Sequence, residues 1–291
     1  NSSLSAETMS ERFWVDPQYA ATLTKQGLGD LGAVFAWQAG DRLDKPTLED
    51  WRQRWRVRIA DPDGTSEVLY LKRFDHPRLR RQMQRWLEGQ WQRSTAGVEC
   101  DNARQLAAAG INAATAVAYG ERMVGPWERR SFLLLGEVPG EALERWVPAH
   151  MPPLDDAEGQ PLRRRLVNQL AGFVAAFHRA GFAHRDLYLS HVFVRLDGHG
   201  RPCETDTNLL ALIDLQRVFR PRWRRRRWVV KDLAALDFST PADRFSRWDR
   251  LRFLCRYVRA CDRFGSAREL ARRVAAKAEG MRRRARRHNA R

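Results

Sequence analysis

Hydrophobic and polar positions alternate twice in succession between residues 51 and 74, WRQRWRVRIADPDGTSEVLYLKRF, first at Trp55, Val57 and Ile59 and then at Val68 and Tyr70. A period of two marks half-buried strands, and Asp63-Gly64 between them predicts a hairpin turn. The apolar run SFLLL at 131–135 reads as a buried strand, punctuated by Gly136, Pro139 and Gly140. The period then changes. Between 162 and 178 the residues Leu166, Leu170, Phe173, Val174 and Phe177 recur at helical spacing, and Gly181 supplies the stop. Two short strands at 191–196 and 209–215 flank a polar loop as a second hairpin, and 229–238 and 249–257 carry helical periodicity. The last stretch, 279–291, contains RRRARR and reads as a solvated, mobile tail. A sheet-rich first part followed by a helical second part predicts an α+β fold in two lobes, 1–136 and 137–291.

At 291 residues, 43% hydrophobic and 30% charged, the chain can bury a sizeable core, which excludes disordered, collagen-like and coiled-coil classes. Charge changes the picture more: 52 basic against 35 acidic residues give +17. Nucleic acid, an anionic membrane face, a phosphorylated substrate or an acidic protein would each suit that field. Only Lys25, Lys45, Lys72, Lys231 and Lys277 are lysine, which leaves 47 arginines. A coding preference accounts for the imbalance, and it makes each lysine a position where arginine does not serve equally well. The cysteines, Cys100, Cys203, Cys255 and Cys261, form no C-x-x-C and no zinc-like spacing with histidine, which points to a reduced, cytosolic compartment. Residues 1–10 are too polar for a signal peptide, and no apolar run approaches the roughly 18 residues of a spanning helix. A soluble protein, or one lying on a membrane surface, is expected.

The candidate chemistry begins at GFAHRDLYLSH, 181–191, where H-R-D ends in Asp186 and a polar residue, His191, follows five positions later. Leu212-Ile213-Asp214 then places a second aspartate at the end of an apolar strand. In phosphoryl transfer one such carboxylate accepts the proton of the attacking hydroxyl and the other holds the Mg²⁺ that bridges the phosphates. A surface ion pair for Asp186 and a turn cap for Asp214 are the plainer readings. Upstream, Lys72 sits on the second hairpin strand and Glu99 opens a helix over 99–109, a pairing that would hold α- and β-phosphates. An exposed strand lysine and a dipole-favoured carboxylate are the alternatives, and Glu88 competes with Glu99. Gly27-Leu-Gly29-Asp-Leu-Gly32-Ala-Val34 fits G-x-G-x-x-G-x-V by letters, yet the turn at Gln38-Ala-Gly40-Asp41 is an equal candidate for a phosphate-covering loop.

AVAYGER (116–122), FHRAGFAHRDLYLSH (177–191), LIDLQR (212–217), RRWVVKDLAALDFS (226–239) and RWDRLRFL (247–254) together resemble the lipopolysaccharide kinases of the Kdo/WaaP type. The resemblance runs from about Gly29 to Tyr257 and implies a protein-kinase-like fold, an N-lobe sheet with a helix and a mostly helical C-lobe. It implies ATP and Mg²⁺ as cofactors and an inner-core sugar, heptose or Kdo, as acceptor. By that likeness Asp186 is the catalytic base, Asp214 the metal ligand, Lys72 the phosphate-binding lysine and Glu99 its partner. Glu137 and Val138 form the hinge that meets adenine, and Asp232 pins the backbone of the catalytic loop beside His184. His191 stands where protein kinases carry Asn; since hard Mg²⁺ prefers oxygen, it is expected to position phosphate or water, or to be structural. D-F-G is replaced by Asp214-Leu215-Gln216, which argues against a regulated activation loop.

Arg217, Arg220, Arg222 and 224–227, interleaved with Trp223 and Trp228, are expected to face the acceptor, with Arg217, Arg222 and Arg224 binding its anionic groups. A solvated charge run is the plainer reading, and nucleic acid is the poorer fit beside a kinase constellation. Within an insertion at 77–93, Leu79, Met83, Trp86, Leu87 and Trp91 line one helical face among arginines, the make-up of an interfacial helix on the inner membrane, although core packing explains the stripe almost as well. An acidic protein such as acyl carrier protein would also suit this surface. A small-molecule phosphotransferase of the aminoglycoside type and a non-catalytic scaffold for acidic lipid or protein are the competing functions.

Overall fold

The computed structural model describes residues 9–38, 40–43, 49–60, 66–196, 202, 209–261 and 266–289. The chain divides into two compact units, Asn1–Gln105 with Ala114–Glu137, and Leu106–Ala113 with Val138–Arg291. Glu137 therefore closes the first unit, and the short segment 106–113 belongs with the second.

In the first unit, β1 (Met9–Val15) leads through α1 (Ala20–Lys25) and α2 (Leu31–Ala36) to β2 (Asp41–Arg42). The expected hairpin follows as β3 (Arg52–Ala60) and β4 (Ser66–Asp75), its Asp63-Gly64 turn lying outside the described residues. After α3 (Leu79–Leu87) and α4 (Thr95–Ala108) come β5 (Ala116–Val124) and β6 (Trp127–Gly136). The six strands form an antiparallel sheet in the order β1-β5-β6-β4-β3-β2. Alternation along β4 sends Leu69 and Leu71 into a core with Leu31, Val34, Ile59, Phe132 and Leu134, and so sends Lys72 to the opposite face. Its neighbours in register are Arg54 on β3 and Leu133 on β6.

The second unit adds β7 (Glu141–Ala142), α5 (Leu143–His150), α6 (Gln160–Arg179), β8 (Val192–Val194), β9 (Leu210–Leu212), α7 (Arg225–Ser239), α8 (Arg247–Ala260) and α9 (Ala267–Asn289). Strands β7, β8 and β9 make a small antiparallel sheet, so the second expected hairpin is formed, with most of its loop outside the described residues. Gly140 enters this sheet at φ +132°, where a Cβ would collide with the carbonyl of Val194. Ser246 and Asp249 close a capping box at the start of α8.

Two expectations are corrected. The segment 279–291 is helical through 289 and not an unstructured tail: it continues α9, which is anchored by the buried Leu270, Val274 and Ala278, while Arg283, Arg284 and 286–288 are exposed as expected. Ion pairs carry the helix onward, Glu279 to Arg283 at 3.3 Å and Arg282 to Asp237 at 2.8 Å. The glycine-rich letters at 27–34 run into α2, capped by Asp30 through the Ala33 N–H, and do not form a strand–turn–strand loop. The turn near Gly40 leads into β2, and the connection from β2 to β3 includes 44–48, outside the described residues.

Candidate active site

Each unit carries its own constellation. In the first, Lys72 Nζ lies 2.6 Å from Glu99 Oε1, the lysine 13% exposed and the glutamate fully buried. Glu99 does not open its helix, because α4 begins four residues earlier. Ser94 Oγ accepts the Gly97 N–H and caps the helix. Behind that cap stand two buried carboxylates. Glu121 accepts both the backbone N–H and the hydroxyl of Ser94, and Glu128 does the same for Thr95 while also accepting the Ser131 hydroxyl. Negative charge at a helix N-terminus is favourable, so β5 and β6 fix the end of α4 and hence the reach of Glu99 toward β4. Gly97 makes the approach feasible, since a Cβ there would sit 2.5 Å from Glu121 Oε2. Burial nevertheless pushes the Glu128 carboxyl above its ordinary value. Glu137 is exposed, accepts the Tyr70 hydroxyl at 3.1 Å and donates its backbone N–H to Val68.

The second constellation is built around Asp232, fully buried on α7. Its carboxylate accepts the backbone N–H groups of His184 at 2.7 Å and Arg185 at 2.8 Å. Arg185 sits at φ +70°, a strained conformation for an arginine, which these bonds offset. The Arg185 guanidinium stacks over Phe219 and Trp228, 4.2 and 5.2 Å from the ring centroids. His178 Nε2 also reaches Asp232 at 3.3 Å, and its Nδ1 lies 2.9 Å from the Tyr257 hydroxyl. Asp186 follows this braced turn.

His191 links the two aspartates. A carbonyl can only accept, so His191 Nδ1 carries the proton it gives to the Asp186 carbonyl at 2.7 Å. In the neutral ring Nε2 is then a lone pair, 3.8 Å from Asp214 Oδ2. Asp214 adopts φ +55° at the end of β9, and Gln216 donates to its Oδ1 at 3.0 Å. His184 donates through Nε2 to the Ile213 carbonyl at 3.3 Å, tying the turn to that strand end, and burial holds its imidazole below the ordinary value. The rings of His184 and His191 stack at 5.6 Å. Among the described residues no set of three or more His, Cys, Asp or Glu side chains could hold a metal by itself. What this chain offers is one carboxylate with an electron-rich nitrogen beside it, which suits a cation that takes its other ligands from phosphate and water.

Of the arginines expected to face an acceptor, Arg217 meets the H-R-D segment directly, with Nη1 2.5 Å from Asp186 Oδ2. Arg222 and Arg224 are exposed, and among the described residues neither forms an ion pair with Asp186 or Asp214. Lys231, one of the five lysines, has no role assigned by the sequence motifs. It is half-buried beside Asp232, and burial lowers its ammonium while Asp186 and Asp232 oppose that shift. Its scarcity as a lysine was the signal that could have found it.

A six-stranded antiparallel sheet bearing a Lys–Glu pair, together with a helical unit bearing H-R-D and a strand-end aspartate, defines a protein-kinase-like fold. The model of the lipopolysaccharide kinase (Kdo/WaaP) family matches residues 47–257, and the chain belongs to that family. It is similar to the lipopolysaccharide core heptose(I) kinase WaaP of Pseudomonas aeruginosa, 39% identical over 161 residues, covering 54% of this chain and 56% of that protein. The Escherichia coli protein of the same name is 31% identical over 155 residues, 52% of this chain and 55% of its own. The chain thus spans about half the length of the curated relatives it matches. A solved structure, WaaP in complex with acyl carrier protein, superposes with a TM-score of 0.66 at 30% identity, covering 95% of this chain and 98% of that one.

Proposed function

We propose that this chain is an ATP- and Mg²⁺-dependent kinase that phosphorylates a hydroxyl of an inner-core sugar, heptose or Kdo, of lipopolysaccharide. The observation that carries the reading is the placement of Asp186 and Asp214 on either side of one imidazole, His191, in a chain of this family. Asp186 orients the acceptor hydroxyl and takes its proton as the oxygen bonds to phosphorus. Arg217, held against Asp186, fixes that carboxylate and reaches the anionic groups of the acceptor, with Arg222 and Arg224 farther along the same segment. Asp214 would hold Mg²⁺, with His191 meeting it through water; the cation would neutralise charge on the transferring phosphoryl group. Lys72, oriented by Glu99, would bind the α- and β-phosphates, and Glu137 and Val138 would present backbone to adenine.

The acceptor is joined to lipid, so the reading puts the enzyme at the cytoplasmic face of the inner membrane. No described helix is long and apolar enough to cross that membrane. Acyl carrier protein, the partner in the similar solved structure, is an acidic-protein candidate that a chain of charge +17 would attract.

Phosphate transfer from labelled ATP to purified core oligosaccharide tests the proposal, with wild type beside Asp186→Ala. Transfer by wild type and its loss in the variant are expected; equal, non-zero transfer removes Asp186 from its role. Transfer to aminoglycosides but not to heptose-containing acceptors would replace the acceptor class, and failure to bind Mg-ATP in calorimetry would replace the enzyme by a scaffold.

A further inference from the structure

Helix α3 is amphipathic with its faces reversed. The residues turned inward are polar: Gln82 and Arg85 are 4% and 2% exposed. Those turned outward are apolar: Leu79, Met83 and Leu87, four residues apart, are 59%, 50% and 87% exposed, and Trp91 beyond the helix is 52% exposed. An isolated exposed leucine calls for no explanation, but a stripe along one helix does.

The reversal is locked. Arg85 donates to Gln82 Oε1 at 2.7 Å and to the carbonyls of Pro126 at 2.6 Å and Gln90 at 3.0 Å, with the Arg93 carbonyl as a further acceptor. Gln82 donates to the Glu128 carbonyl at 2.8 Å and accepts the Glu128 N–H at 3.2 Å. Trp86 packs edge-on to Trp127, ring centroids 4.6 Å apart, and donates to the Pro126 carbonyl. Rolling the helix to bury its leucines would strand a guanidinium and an amide without these partners, each a loss of buried hydrogen bonds. The stripe therefore has no place within its own unit.

The charge around it names the occupant. No carboxylate lies within residues 76–87, although Asp75 and Glu88 flank them; Arg85 is buried and Arg78 pairs with Asp50 at 3.0 Å and Glu49 at 3.6 Å, so the exposed Arg80 and the part-exposed Arg81 carry the charge beside the stripe. A shallow apolar ridge with a tryptophan at its end and arginines beside it fits the boundary between headgroups and acyl chains of an anionic bilayer. We infer that the outward face of α3 docks this protein on an anionic lipid surface, with Leu79, Met83, Leu87 and Trp91 entering the acyl boundary. The inference goes beyond the kinase reading and is tested without nucleotide or acceptor.

The full chain is floated with vesicles of phosphatidylglycerol and phosphatidylethanolamine, and with phosphatidylcholine vesicles for comparison. The triple variant Leu79→Gln/Met83→Gln/Leu87→Gln keeps the net charge, so it separates insertion from simple attraction. Wild type is expected to bind the anionic vesicles, and the triple variant to lose about tenfold or more in partitioning at unchanged circular dichroism. Should the triple variant fold poorly, the single Leu87→Gln, at the most exposed position, is expected to show a smaller loss in the same direction. Equal binding by wild type and a folded variant would overturn the inference and leave only net charge. So would absence of wild-type binding, or a solution dimer that the triple variant abolishes, which would assign the stripe to a second copy.

Discussion

Asp232 accepts the backbone N–H of Arg185 at 2.8 Å, and in doing so stabilises a non-glycine residue at φ +70° one position before the candidate base. The carboxylate is fully buried and answers three donors, so its loss is felt by the turn and by the core at once. Asp232→Asn replaces one accepting oxygen by an amide that donates toward other donors. A loss of about 3 kcal/mol or more in unfolding free energy is expected, measured in urea, with phosphate transfer reduced more than stability alone explains. Unchanged stability would refute the bracing role.

Lys72 and Glu99 test the first constellation. Glu99 has no solvent to fall back on, and at 2.6 Å the pair leaves room for a compact ammonium. Lys72→Met is expected to lower turnover about a hundredfold, the cost of losing one well-placed electrostatic contact, and to destabilise by about 3 kcal/mol by taking the ammonium away from a buried carboxylate. Lys72→Arg is expected not to restore turnover, because a guanidinium fork does not occupy the same point. Rescue by arginine would show that charge alone matters there.

His184 sets a pH dependence whose sign follows from its burial. Its folded-state pKa lies below the ordinary 6.5. As pH falls beneath about 6.5 the unfolded chain takes up a proton that the folded chain refuses, so stability falls with pH, by at most about 1.4 kcal/mol per unit. Above that value the contribution is fully present. Glu128, raised by burial, gives the opposite slope above 4.5, but it does so in any His184 variant as well. Urea midpoints of wild type and His184→Gln, compared across this range, should diverge as pH drops, wild type losing stability relative to the variant. Parallel profiles would count against a buried neutral ring.

Gly140 lies where strand β7 meets β8, at φ +132° with the Val194 carbonyl against its Cα. Gly140→Ala should cost about 2–4 kcal/mol by combining backbone strain with steric collision. A thermal melt indistinguishable from wild type would show that the junction relaxes freely.

Legibility in the sequence follows how local the cause is. The β3–β4 hairpin and Lys72 were readable because period-two alternation and a rare lysine coincide within one segment. Glu99 was readable as a residue, but the start of its helix was not, since Ser94 is held by Glu121 and Thr95 by Glu128, carboxylates that arrive 27 and 33 residues later. The Asp186–Asp214 relation was legible as a motif, whereas the pairing of Arg217 with Asp186 depends on how the chain returns after β9. The arginine-rich end concealed α9 because its core positions include small Ala278 amid many charges. In α3 the spacing was visible and its direction was not: which face turns inward was decided by hydrogen-bond acceptors on Pro126 and Glu128.

The turn at 184–186 takes its shape from a side chain 47 and 48 positions further along the polypeptide. During synthesis the ribosome releases that turn well before it releases its brace. A nascent chain halted between Asp214 and Asp232 would carry the candidate base and the strand-end aspartate yet lack the side chain that arranges the turn, so the arrangement can form only after α7 has emerged and docked.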